Sequence, residues 1–66
     1  MEKLRRLFNY IKSYNNLASI ELINDDNNNY YFCINGKYLT EIDKKYLISL
    51  NEVQLIFEAK YILNNY

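Results

Sequence analysis

The sequence predicts an α+β fold: a three-stranded antiparallel sheet with an N-terminal helix and a short helix between strands 2 and 3. Three observations carry that prediction. Apolar residues recur at helical spacing over residues 2–16. Two extended segments flank a run of turn-forming residues near the middle, and the tail from Glu52 alternates polar with apolar residues.

In the first element, Leu4, Leu7, Phe8 and Ile11 fall at i, i+3, i+4 and i+7, with Tyr14 next in the series. Glu2 lies near the positive end of that helix and Lys12 towards the negative end, as the macrodipole favours. Asn15-Asn16 is a reasonable stop, because asparagine tolerates the left-handed backbone that ends helices. From Ala18 to Ile23 the pattern changes to period two: Ala18, Ile20 and Leu22 on one side, Ser19 and Glu21 on the other. The polar tract 24–29 bonds readily to its own backbone and reads as a turn. Tyr30–Ile34, aromatic and β-branched, then forms the second strand of a hairpin.

Asn35-Gly36 admits two continuations. As a tight hairpin turn it leads into a third strand at 37–42, with Phe32 opposite Leu39 and Tyr30 opposite Glu41. Alternatively the strand ends soon after Gly36, and Thr40 caps a short helix whose box acid is Asp43. Glu41 and Asp43 in the first turn favour the helix. At the tail, Ser49-Leu50-Asn51-Glu52 has the form of a capping box and invites a helix. However, Glu52, Gln54, Glu58 and Lys60 would scatter around it, whereas a strand places them opposite Val53, Leu55, Phe57, Ala59 and Tyr61. Period two is the better fit, and the tail is expected to be the third strand. Its length leaves an open edge that invites a second copy or a partner.

Sixty-six residues form a single domain, 1–66, with a small core, so self-association is the expected source of extra stability. One cysteine, Cys33, allows no disulfide within the chain, and there is no histidine. With no apolar leader and no long apolar run, the expectation is a cytoplasmic protein without a membrane span. Net charge is zero but uneven. Residues 1–17 carry four bases and one acid, net +3, and residues 18–66 carry four bases and seven acids, net −3. An amphipathic basic helix thus leads an acidic sheet-plus-helix body.

Catalytic chemistry has little to work with, so no enzyme and no cofactor are expected. There is no histidine base and no glycine-rich phosphate loop, and Cys33 on an apolar strand reads as packing. Asp25-Asp26 lacks the further spaced acids of a calcium loop, so no metal is expected. Binding is better supported. Eight tyrosines exceed what a small core hides, and tyrosine is enriched in binding surfaces. On the helical reading, Ile42 and Tyr46 lie at i, i+4 beside Glu41 and Asp43: either a core stripe or an apolar notch rimmed by carboxylates.

A set of residues in the middle of the chain carries a resemblance. Leu22 is followed by Asp25-Asp26, the pair Tyr30-Tyr31, Gly36, then Leu39-Thr40-Glu41 and Tyr46, with an extended tail from Glu52-Val53. In this order and spacing, over about Ser19 to Ile62, the chain resembles the very small uracil-DNA glycosylase inhibitors of Bacillus-type phages. The resemblance implies a viral homodimer of three-stranded sheets that mimics DNA and fills the DNA-binding groove of the host enzyme. It also implies an apolar pocket that traps the side chain the enzyme inserts into the duplex. Carried over by position, Ile42 and Tyr46 would line that pocket. Glu41 and Asp43, with Glu21, Asp25 and Asp26, would stand in for phosphates. The chain departs from the family where an aromatic pocket residue is isoleucine, in its zero net charge and in its additional basic helix.

Two further readings belong beside this one. A counter-defence protein such as an anti-CRISPR would use the same acidic surface on another nucleic-acid enzyme. A small nucleic-acid-binding module would use Arg5, Arg6 and exposed tyrosines. Helix–sheet–helix double-stranded-RNA binders have a similar length, but that reading needs residues 50–64 to be helical. It also lacks a basic cluster where Asn51-Glu52 stand.

Overall fold

Helix α1 spans Glu2–Tyr14 and buries Leu4, Leu7 and Ile11, the stripe expected from their spacing. Residues 2–65 are described by the computed structural model. Strands β1 (Ile20–Asp25), β2 (Asn29–Ile34) and β3 (Tyr38–Asp43) follow, then helices α2 (Lys44–Ser49) and α3 (Glu52–Asn64). The strands form one antiparallel sheet in the order β1-β2-β3. The class is therefore α+β, with an N-terminal helix and a three-stranded antiparallel sheet.

The composition of the sheet differs from the expectation in its third strand. The segment after Gly36 is extended, not helical, and Thr40 sits within β3 opposite Phe32. The short helix begins only at Lys44, after β3, and its cap is Asp43, whose carboxylate accepts from the Tyr46 amide at 3.0 Å. The turn explains the register. Asn35 and Gly36 both have positive φ, 54° and 68°, and Lys37 donates to the Ile34 carbonyl at 3.2 Å. Ile34 then pairs with Tyr38, so the loop holds three residues and not two. One extra residue moves the pairing by one and exchanges the faces of β3. Tyr30 faces Ile42, and Phe32 faces Thr40.

The tail is a helix, not a strand. Asn51 caps it: its side chain accepts from the Gln54 amide at 2.9 Å, and the Gln54 side chain accepts from the Asn51 amide at 2.8 Å. This reciprocal box satisfies two amides that a helix start leaves open. Leu55, Ala59 and Ile62, at i, i+4 and i+7, are buried. Val53, Phe57 and Tyr61, at i, i+4 and i+8, form a second stripe that is exposed. Two apolar stripes on one helix weaken its amphipathic signature, which is why alternation gave the better local fit.

One core joins the layers. Tyr30, Phe32, Ile34 and Ile42 from the sheet meet Leu4, Leu7 and Ile11 of α1, Leu47 of α2, and Leu55, Ala59 and Ile62 of α3. Phe8 packs its ring against Phe32 with centroids 5.0 Å apart, a tilted pairing that suits the ring quadrupoles. The helices thus cover one face of the sheet and leave the other open. β1 bulges between Leu22 and Asn24, which interrupts pairing along that edge.

Candidate protein-binding surfaces

Cross-strand partners point to the same side of a sheet, so the pairing defines the open face. Glu21, Cys33 and Leu39 form one row across it, and Asn24, Tyr31 and Glu41 the next. Asn29 and Asp43 continue the face on β2 and β3. Leu39 is 60% exposed, Tyr31 and Cys33 are half-buried, and Glu21, Glu41 and Asp43 are exposed. An apolar and aromatic centre therefore lies between carboxylates on both edge strands. Strand spacing of ~4.8 Å and a rise of ~3.4 Å per residue put the Glu21 and Glu41 backbones about 12 Å apart.

The seven residues singled out from the sequence divide into distinct settings. Glu21, Glu41 and Asp43 share the open face, and Asp43 also caps α2. Asp25 pairs with Lys44, whose pKa is raised, first by the hydrogen bond to that carboxylate. Asp26 folds the β1–β2 turn by accepting from the amides of Asn28 at 2.8 Å and Asn29 at 2.7 Å. Those bonds, Asn29 first, hold its carboxyl below the usual range. Ile42 is 5% exposed and belongs to the core, the first of the two alternatives, and it stands on β3 while Tyr46 stands on α2 in the helical layer, so the two share no helical face.

The basic face of α1 is engaged within the chain. The Lys3 ammonium donates to the Ile48 and Leu50 carbonyls, where it ties α1 to the end of α2. Arg5 pairs with Glu2, and Arg6 with Glu2 and Glu52. Tyr10 also donates to Glu52, and that bond comes first among the causes that lower the Glu52 pKa. Glu21 and Glu41, by contrast, have no ion pair or hydrogen-bond partner from a side chain among the described residues. The carboxylates of Glu21 and Glu41 on the open sheet face are therefore not ion-paired among the described residues, although the chain as a whole is neutral.

A second surface lies between α2 and α3. Tyr46, Leu50, Phe57 and Tyr61 line a groove of about 370 Å3, with Gln54 and Glu58 as polar members. The Tyr46 hydroxyl donates to Glu58 Oε2 at 2.9 Å, and that bond is the first cause of the raised Tyr46 pKa. Phe57, Glu58 and Tyr61 were not singled out from the sequence. Their signal was the second helical stripe on α3, which is invisible while the tail is read as a strand. Leu39 was missed as a surface residue because the segment after Gly36 was read as leading into a helix, and the alternative strand register was one residue off.

Among the described residues no group of three or more acids or cysteines is placed to hold a metal ion. No helix among the described residues is long and apolar enough to cross a membrane. Comparison with protein-family models, with curated proteins and with solved structures found no match to this chain.

Proposed function

We propose that this chain is a non-catalytic viral protein that binds and covers the basic, nucleic-acid-binding surface of a host enzyme. Uracil-DNA glycosylase in the host cytoplasm is the first target to test. The observation that carries this reading is the uncovered sheet face, where Glu21 and Glu41 flank Tyr31 and Leu39 and form no ion pair among the described residues. Carboxylates facing a basic groove accelerate association, and a central apolar side chain shielded from water dominates affinity. Leu39 takes the anchoring role first expected of Ile42 and Tyr46. In this reading the active species is a homodimer, joined along β3, an edge strand of the sheet. A CRISPR effector is a second target of the same class, bound through the same face.

The test mixes the protein with purified glycosylase and a uracil-containing oligonucleotide. Uracil release should fall in proportion to added protein. A Glu21→Gln/Glu41→Gln double variant should associate more slowly and with less dependence on salt, while Leu39→Ala should dissociate faster. Undiminished release at excess protein removes the glycosylase as the target. Equal inhibition by all variants removes the sheet face as the contact.

One observation favours a second reading. Helix α3 completes the helix–three strands–helix order of small double-stranded-RNA binders. Against it, Asn51-Glu52 open that helix, and Lys3, Arg5 and Arg6 are engaged internally. A salt-sensitive gel shift with duplex RNA would support this alternative, and its absence would remove it.

A further inference from the structure

The groove between α2 and α3 has its own chemistry, and the sheet-face reading makes no use of it. Several of its polar groups are satisfied from within. The Ser49 hydroxyl donates to the Tyr46 carbonyl at 2.6 Å, and Gln54 Oε1 accepts from the Asn51 amide at 2.8 Å. The Tyr46 hydroxyl holds Glu58 Oε2. What remain are the Gln54 side-chain NH2, the Tyr61 hydroxyl and one acceptor of full negative charge, Glu58 Oε1, which has no partner among the described residues. Around this half-buried carboxylate stand three exposed rings: Tyr46 at 48%, Phe57 at 62% and Tyr61 at 64%. No lining residue is cationic.

We propose that this groove receives the side chain of an arginine or lysine presented by a partner protein segment. Ring faces attract a cation through their quadrupoles, and a carboxylate adds a charge-assisted hydrogen bond. The groove supplies both, with Glu58 pre-oriented by Tyr46. A neutral apolar occupant would strip water from the Glu58 carboxylate and return no hydrogen bond, which is costly. A second copy docked through the same face about a two-fold axis would bring two Glu58 carboxylates into the contact, with no lining cation to meet them. The charge pattern therefore selects a cationic partner. The groove lies in the helical layer, away from the open sheet face, so this assignment does not depend on the glycosylase reading.

The test is an NMR titration of the full chain with three capped amino acids: N-acetyl-arginine amide, N-acetyl-lysine amide and neutral N-acetyl-norleucine amide. The two cationic probes should shift the Tyr46, Phe57, Glu58 and Tyr61 resonances saturably, and the neutral probe should bind about tenfold more weakly. The ratio of the two cationic affinities distinguishes arginine from lysine. Glu58→Gln should abolish that preference for the cation, and Phe57→Ala should weaken both cationic probes while the remaining spectrum stays folded. Equal binding of norleucine, or no saturable shift with either cation, overturns the proposal. A dimer in sedimentation that Phe57→Ala dissociates would give the face to a second copy and overturn it as well.

Discussion

Replacing Leu55 and Phe57 separately by alanine tests the architecture of the tail in one comparison. In a strand the two side chains would share a face and respond alike. In α3 they are far apart in environment: Leu55 is 1% exposed, and Phe57 is 62% exposed. Truncating a fully buried leucine costs about 2–5 kcal/mol, the transfer term plus the cavity left behind. An exposed side chain away from other contacts typically changes stability by no more than about 0.5 kcal/mol. A chain of this length has a total stability of roughly 3–10 kcal/mol, so Leu55→Ala removes a large share of it. Urea denaturation followed by circular dichroism measures the difference directly. With a urea dependence of about 1 kcal/mol per molar, Leu55→Ala should lower the midpoint by ~2 M or more. Phe57→Ala should shift it by about 0.5 M at most. Equal losses in the two variants would refute the helical assignment and the division of α3 into a buried and an exposed stripe.

Two further outcomes follow from local chemistry. Asn51→Ala removes the acceptor for the Gln54 amide, and thermal unfolding should report a loss of about 1 kcal/mol, with Asn51→Gly costing only a few tenths. The Asp26 carboxyl has a folded-state pKa below its unfolded value because the Asn29 and Asn28 amides bond the charged form. Its stabilising contribution is therefore fully present above a pH of about 3.9 and is lost as pH falls through the folded pKa. NMR titration should place the Asp26 midpoint below that of a model peptide, and Asp26→Ala should reduce the pH dependence of stability in the acid range only. A midpoint at or above the peptide value would contradict the turn geometry.

Where neighbours in sequence decided the conformation, the residues were legible. Leu4, Leu7 and Ile11 are spaced for one helical face and are buried on it. Ile20 and Leu22 alternate with Glu21 and pair with the fully buried Ile34 and Phe32, but on this edge strand Leu22 itself stays 43% exposed, so the alternation set the face and not the burial. Asn35-Gly36 had the residue types that a positive-φ turn requires, and both adopt positive φ. Of the candidate site, the acidic character of Glu21, Glu41 and Asp43 was readable, as was their place near the middle of the chain. Their common face was not, because it depends on whether the loop after Ile34 holds two residues or three.

The amino-acid order by itself determined the class: a helix that must bury one stripe, a hairpin nucleated by polar turn residues, and an acidic body behind a basic leader. Only the tertiary structure decided which segment becomes the third strand. Residues 38–43 and the tail each carried signals for both helix and strand. The contest was settled by the core: β3 closes the sheet by placing Ile42 beside Tyr30, and α3 puts Leu55, Ala59 and Ile62 beside α1 within the same core. Burial of side chains distant in sequence outweighs a local preference worth a few tenths of a kcal/mol per residue, ~1 kcal/mol at most. That same packing decided the surface. It drew Ile42 inward, turned Leu39 and Glu41 to the open face, and left Phe57 and Tyr61 beside Tyr46 on the other side of the molecule.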